Sequence, residues 1–198
     1  MIRLESIMME KQYFAGKVFS SGETTATNFQ LGDYEDCSFE GCDLSTTDFS
    51  HSAFIDCLFT NCNLTLVKLV QTSFRDVVFK GCKLNGLHFN DCKTTLFSAR
   101  FEGCNLSMSS FYGMKLKKQF FGNCILHECD FVEAGLEEAD FTHADLKDAV
   151  FDHTILTGAD FRHAHHYRID PDCNKVSKAR FSQDGLPGLL MKYNIQID

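Results

Sequence analysis

The chain of 198 residues contains no tryptophan, only two prolines and just 13 glycines. This composition excludes collagen-like and proline-rich linker sequences. No segment approaches the run of about 18 apolar residues that a membrane-spanning helix requires. The first eleven residues have neither an unbroken apolar run nor a small-residue cleavage site. We therefore expect no secretory signal and a cytoplasmic protein.

Basic residues are also scarce, since 19 lysines and arginines face 27 aspartates and glutamates, for a net charge of −8. Such a balance disfavours direct binding of nucleic acid, which requires a basic face. A hydrophobic content of 44% is too high for a disordered chain. The 20 phenylalanines in a chain without tryptophan indicate an internal repeat.

The repeat is five residues long. Every fifth residue from Phe29 to Phe89 is large and apolar; the frame then shifts by two residues within 90–95, and the series resumes at Leu96 and continues to Phe161. A period of five fits neither a helix nor an ordinary strand. A second column of small residues, mostly Cys, Ala, Ser or Thr, lies two positions before the large ones. Large and small side chains that both point inward would fill a narrow tube at normal packing density.

The five-residue units form groups of four. The segments GCDL, NCNL, GCKL, GCNL and NCIL recur at spacings of 20, 20, 22 and 20 residues, which predicts coils with four sides. Identical residues then stack from coil to coil. One column holds phenylalanines from Phe19 to Phe181, and the next holds leucines from Leu44 to Leu146, with Leu186 two coils beyond.

The runs EADFT, HADLK, DAVFD and GADFR in 138–162 resemble the pentapeptide-repeat proteins. The resemblance covers about residues 14–181 and implies an all-β fold, a right-handed quadrilateral β-helix of eight to nine coils. Its quinolone-resistance members, the Qnr and MfpA-like proteins, resemble duplex DNA in size, shape and charge, and bind the type II topoisomerases gyrase and topoisomerase IV. The segment IDPDCNKVSKARF and the apolar residues after it resemble the C-terminal ends of those members. The resemblance thus implies a non-enzymatic DNA-mimicking rod that modulates a topoisomerase or protects it from quinolones or toxins.

We expect three segments. Residues 1–13 form an N-terminal cap with Ile7, Met8, Tyr13 and Phe14 against the first coil, and residues 14–183 form the β-helix. Residues 184–198 form a short helix near 186–193, capped by Asp184, and a tail. The resemblance makes this last segment a homodimerisation element, and the alternative is a monomeric cap. Its apolar residues are Leu186, Leu189, Leu190, Met191, Tyr193, Ile195 and Ile197.

Two acidic zones are the candidate surface for the partner, and a basic stretch at 66–118 separates them. Residues 128–160 contain ten acidic residues and one basic residue, Lys147. Over roughly 8 Å of rod, this matches the axial charge density of DNA. The acidic residues expected to bind are Asp33, Glu35, Glu40, Asp43, Asp48, Glu128, Asp130, Glu133, Glu137, Glu138, Asp140, Asp145, Asp148 and Asp152.

The alternative function is a general interaction rod with an unrelated protein partner. Apolar residues occupy outward positions on two walls, with Leu58, Val78 and Phe120 on one wall and Ile55 and Phe97 on the next. Exposed apolar patches of this kind often mark a binding site.

The remaining reactive residues give no sign of enzymatic chemistry. Nine of the ten cysteines occupy the small inward position, and Cys173 lies in an irregular segment. The cluster of His163, His165 and His166 near Cys173 matches no compact zinc motif, so we expect no metal and no other cofactor. The chain has no glycine-rich phosphate loop, nucleophile elbow or HExxH motif, so we expect no enzyme.

Overall fold

The computed structural model describes residues 11–196. It contains short strands in three parallel sheets and a single four-residue α-helix near the C-terminus. The strands are β1 (Gln12–Ala15), β2 (Val18–Ser20), β3 (Gly32–Glu35), β4 (Ser38–Glu40), β5 (Ala53–Ile55), β6 (Leu58–Thr60), β7 (Ser73–Arg75), β8 (Val77–Lys80), β9 (Ala99–Glu102), β10 (Asp160–Phe161) and β11 (Arg180–Phe181). Helix α1 spans Pro187–Leu190, and 3-10 turns span Phe89–Asp91, Gln183–Gly185 and Met191–Tyr193.

The strands stack into a parallel β-solenoid of about eight turns with four sides. Phe54 pairs with Phe74 in the sheet β1-β3-β5-β7, which forms one side, whereas the adjoining side contains β2-β4-β6-β8-β9. Isolated parallel bridges link successive coils on the other two sides, and on all four sides in the C-terminal coils. We name the sides by their central residues: wall A (Tyr34, Phe54, Phe74), wall B (Phe39, Phe59, Phe79), wall C (Leu44, Leu64, Leu84) and wall D (Phe49, Leu69, Phe89). Phe59 pairs with Phe79 on wall B, so the predicted four-sided coil is confirmed.

Stacked aromatic rings fill the tube. Successive rings within one wall are nearly parallel, as in Phe39 and Phe59, whose centroids lie 4.5 Å apart at 4°. Rings on adjoining walls meet edge to face, as in Phe54 and Phe59 at 5.5 Å and 65°. Both arrangements are favourable for aromatic pairs. The buried small residues, such as Cys62 and Ala139, fill the space beside the rings.

Residues in the left-handed conformation turn the chain at the corners between walls. Asp56, Asn61 and Glu128 have φ values of 52°, 53° and 56°, and glycine takes the same conformation at Gly81 and Gly113. The short polar side chains of Asp and Asn tolerate this conformation better than most residues. Regular corners explain why a five-residue unit advances the chain by one wall.

The frame shift is absorbed locally, but the sequence prediction placed the wrong residue inside. Leu96 was expected in the core and is 67% exposed. Phe97, expected on an outer face, packs against the core, with ring centroids 6.3 Å from Phe74 and 6.2 Å from Phe89. The larger ring reaches both neighbours. Pairing is restored at Phe79 and Phe101, 22 residues apart.

The N-terminal end also differs from expectation. Strand β1 already includes Tyr13, whose side chain is 64% exposed and donates a hydrogen bond to Glu35. Alternate side chains of a strand point to opposite faces, so Phe14 points inward and stacks on Tyr34 at 4.8 Å. Tyr13 therefore does not cover the end of the tube, and Ile7 and Met8 lie outside the described residues.

Tyr167 closes the core at the C-terminal end. Its ring is buried and lies 5.6 Å from those of Phe161 and Phe181. Residues 183–193 fold over this ring. Gly185 and Gly188 lie so close to it that a Cβ atom at either position would overlap Tyr167. Leu186 is exposed and so does not extend the leucine column.

The predicted cap at Asp184 is also wrong. Helix α1 begins after Leu186, which makes no side-chain capping bond. The intervening 3-10 turn Gln183–Gly185 places Asp184 before the helix rather than at its cap position. No helix within residues 11–196 is long and apolar enough to cross a membrane.

Candidate partner-binding surface

The fourteen acidic residues predicted as the binding surface lie on all four walls, in two zones. Asp48 and Asp130 belong to the same wall, four coils apart, which corresponds to about 19 Å along the rod. The structure thus surrounds the rod with carboxylates at two levels and does not bring the fourteen together in one cleft.

The N-terminal zone is partly neutralised. Lys11 forms an ion pair with Asp33, and Tyr13 donates a hydrogen bond to Glu35. Hydrogen bonds from Ser45 and Asn63 hold the pKa of Asp43 below its ordinary value. This carboxylate is therefore ionised, and hydrogen bonds from its own coil and from the next one already use part of its accepting capacity.

Lysine and arginine side chains partly neutralise walls A and B in the C-terminal zone. Glu138 lies 3.3 Å from Lys117 and 3.6 Å from Lys118, and the hydrogen bond from Lys117 is the largest cause of its lowered pKa. Asp160 accepts two hydrogen bonds from the Arg162 guanidinium, which lower its pKa, and Arg180 lies 3.6 Å away. A count of charges along 128–160 misses these partners because Lys117, Lys118 and Arg180 lie about one coil away and Arg162 lies just beyond the counted segment.

On wall C, Asp145 lies between two histidines, with His127 Nε2 at 2.8 Å and His166 Nδ1 at 2.7 Å. Partial burial opposes ionisation of Asp145, but the hydrogen bonds from these histidines hold its pKa below the ordinary value. The sequence predicts this carboxylate as part of the acidic surface, whereas the two flanking histidines become apparent only in the structure.

Wall D and its corners keep acidic residues without basic partners. Asp130 accepts from Ser110 Oγ at 3.2 Å, and Glu133 accepts from Tyr112 Oη at 3.1 Å. Within the described part of the chain, no lysine or arginine forms an ion pair with Glu128, Asp130 or Glu133. The uncompensated charge of the C-terminal zone is therefore greatest here.

The predicted apolar wall is interrupted. Leu58 and Val78 pair on wall B, but Arg100 follows Val78 in the same column. The Arg100 guanidinium lies over the Phe120 ring, 4.2 Å from its centroid. Phe120 is thus covered by a cation and separated from the other two residues.

The C-terminal segment presents most of its apolar side chains outward. Leu189 packs against the core, and Ile197 lies outside the described residues. Lys192 binds Asp170 and Asp172, which raises the pKa of Lys192 and fastens the segment to the last coil. The exposed apolar residues are Leu186, Leu190, Met191, Tyr193 and Ile195.

A cleft of about 880 Å³ lies between this segment and the last coil. Its lining includes His163, His165 and His166, as well as Tyr167, whose burial raises the pKa of its hydroxyl to about 12. Across residues 11–196, no three His, Cys, Asp or Glu side chains are grouped to hold a metal ion.

Two family models match the chain. The pentapeptide repeat region matches residues 32–97, and the model of pentapeptide repeats in eight copies matches residues 134–165. The chain is a pentapeptide-repeat protein. No curated protein sequence matches this pentapeptide-repeat protein significantly.

Solved structures share the fold of this pentapeptide-repeat protein. A trypsin-treated variant of QnrB1, described as a plasmid-mediated fluoroquinolone resistance protein, is 16% identical with a TM-score of 0.63. The match covers 95% of this chain and 98% of that one. Full-length QnrB1 is also 16% identical, with a TM-score of 0.53, and the match covers 93% of this chain and 100% of that one. At this identity, the similarity establishes the fold.

The cysteines of this pentapeptide-repeat protein belong mainly to its core. Nine are buried, Cys173 is exposed, and all ten are free thiols. Cys62 donates a hydrogen bond to the carbonyl of Phe39 in the preceding coil, at 3.3 Å. Burial raises the pKa of Cys57 and of Cys124 to about 11. Because the thiolate is the nucleophile, both effects suppress reactivity.

We expect a maleimide reagent at pH 7.5 to modify Cys173 at least about tenfold faster than the other nine cysteines of the native protein. Mass spectrometry of labelled peptides gives the rates, and labelling in urea serves as the control in which all ten react. Rapid native modification of several buried cysteines would show that the tube opens.

Proposed function

We propose that this pentapeptide-repeat protein is a non-enzymatic cytoplasmic rod that binds gyrase or topoisomerase IV as a DNA mimic. Bound in this way, it modulates the topoisomerase or protects it from quinolones or toxins. The acidic C-terminal zone carries the proposal, because its carboxylates surround a narrow rod at a density similar to that of duplex DNA. The likeness of fold to QnrB1, a fluoroquinolone resistance protein, supports it.

The mode of action follows from charge and shape. Aromatic rings fill the tube between the walls, so binding depends on the outer surface. Glu128, Asp130 and Glu133 lack basic partners and would attract a basic DNA-binding surface. Such steering weakens as salt screens the charges.

A homodimer would extend this surface. If residues 184–198 join two rods end to end, the two C-terminal acidic zones lie on either side of the junction. The exposed side chains of Leu190, Met191 and Tyr193 support this arrangement, because an end-to-end contact would cover them.

The direct test is a gyrase supercoiling assay with added protein, with and without a quinolone. We expect either inhibition of supercoiling or protection from the drug. Either effect should decline steeply as the salt concentration rises from about 50 to about 300 mM, because the Debye length falls over this range from about 14 Å to about 6 Å. No effect in either assay, together with no binding to topoisomerase IV, would contradict the proposal.

Charge reversal gives a second test. We expect the triple variant Glu137→Lys, Glu138→Lys and Asp140→Lys to fold normally and to lose topoisomerase binding, because it replaces three negative charges of the C-terminal zone with three positive ones. Surface plasmon resonance measures the binding, and circular dichroism checks the fold. Undiminished binding would exclude DNA mimicry by this zone.

An interaction rod with an unrelated protein partner is the second candidate. The uneven distribution of charge favours it, since Lys117 and Arg162 pair with Glu138 and Asp160 on walls A and B, whereas Glu128, Asp130 and Glu133 at wall D have no such partner. Duplex DNA carries its charge on all sides, so binding through a single wall would be selective protein recognition instead.

A further inference from the structure

Wall D and the corner before it carry most of the exposed apolar side chains of the repeat array. Between residues 32 and 185, eight large apolar side chains are exposed, and five of them belong to this face. These five are Leu66, Val70, Met108, Tyr112 and Val150. Single exposed apolar residues are ordinary, but their concentration on one wall of four is not.

The coil register aligns these residues along the rod. Parallel bridges join Ser110 to Asp130 and Asp130 to Val150, so these three residues lie in one column of wall D. Leu66 and Met108 occupy the preceding corner, with Gly86 between them. The Leu66 side chain lies so close to Gly86 that a Cβ there would overlap it. Leu66 thereby covers the gap towards Met108.

The charge around this face has one sign at its C-terminal half. Glu128 follows Met108 in the corner column, while Asp130 and Glu133 flank Tyr112 and Val150. On walls A and B at the same level, Glu138 pairs with Lys117 and Lys118, and Asp160 pairs with Arg162. Wall D and its corners therefore combine exposed apolar side chains with three carboxylates, Glu128, Asp130 and Glu133, that form no ion pair among the described residues.

We propose that wall D binds an amphipathic helix of a partner protein, one that presents aliphatic side chains flanked by lysine or arginine. The coil spacing of about 4.8 Å is close to the helical pitch of about 5.4 Å, so successive turns meet successive coils. From Leu66 to Val150 the face spans four coil steps, about 19 Å, or roughly 13 helical residues. This inference rests on the proposed function only in requiring a protein partner.

Charge excludes the other polymers as occupants. Duplex DNA and anionic membranes would be repelled by Glu128, Asp130 and Glu133. A basic helix gains attraction from the same carboxylates and covers the apolar side chains between them. A second copy of this chain is the competing occupant of wall D. The oligomeric state of the protein distinguishes it from a partner helix.

The probe is a synthetic 14-residue helical peptide with leucines on one face and lysines beside them, titrated into the full-length protein by fluorescence anisotropy. We expect Glu128→Lys with Glu133→Lys to weaken binding at least about tenfold. The matched control, Asp36→Lys with Asp56→Lys, makes the same change in net charge at the corner after wall A, and should weaken it less than about threefold. Lys118 and Lys178 already occupy left-handed corner positions, so lysine fits there.

Three further variants keep the test decisive. Glu128→Gln with Glu133→Gln replaces the lysine variant if that one unfolds, and should also weaken binding. Met108→Ser with Tyr112→Ser removes apolar surface and should weaken binding by about tenfold, whereas Leu58→Ser on wall B should not. Equal losses in the wall A and wall D charge variants would show that net charge alone binds the peptide, and would overturn the proposal.

Two other results would also overturn it. One is failure of the unaltered protein to bind the peptide. The other is conversion of a dimer to a monomer by Met108→Ser with Tyr112→Ser, which would show that a second copy covers wall D. Because the probe contains no topoisomerase, this test and the supercoiling assay fail independently of each other.

Discussion

Replacing Phe59 by alanine is expected to lower the free energy of unfolding by about 3–5 kcal/mol. The ring is fully buried between Phe39 at 4.5 Å and Phe79 at 5.0 Å. The walls are held apart by hydrogen bonds between coils, so they cannot close around the cavity. Urea denaturation followed by circular dichroism measures the loss.

Leu58→Ala is the matched control, because residue 58 is adjacent in sequence and points outward on the same strand. Its effect should stay below about 1 kcal/mol. A similarly small loss for Phe59→Ala would contradict a rigid, close-packed tube and would indicate that neighbouring side chains fill the space.

Replacing Leu190 by aspartate is expected to convert a dimer into a monomer, with a dissociation constant raised at least about a hundredfold. Leu190 is exposed in the single chain, so the aspartate costs little there. In an end-to-end dimer it would bury an unpaired charge among apolar side chains. Sedimentation equilibrium gives the mass of each variant.

Leu96→Asp supplies the control, because Leu96 is exposed in the frame-shift segment, away from the C-terminal end. It makes the same chemical change and should leave the mass unaltered. A monomeric unaltered protein would contradict the dimer and would identify residues 183–193 as a cap over Tyr167 alone.

The regular part of the fold could be predicted because the period of five places each side chain directly on a wall. The pairing of Phe59 with Phe79 follows from counting 20 residues. At irregular positions, local packing decides which side chain enters the core. Phe97 displaces Leu96 because the larger ring reaches two neighbours, and Tyr167 closes the core where the repeat places His166.

The candidate surface was only partly visible in the sequence. A linear count identified the acidic zones but missed Lys117 and Arg162, which neutralise carboxylates on walls A and B. The apolar residues of wall D are dispersed along the chain, from Leu66 to Val150. The same 20-residue period, applied to outward positions, would have revealed that they share one face.

The frame shift shows that the fold tolerates a local change in chain length. Two extra residues enter between Phe79 and Phe101, yet these residues pair as if the insertion were absent. The chain can therefore be lengthened at this site without rotating any later side chain. New loops are thus most easily acquired at such sites, where evolution or protein engineering can add a recognition element while the stacked rings stay unchanged.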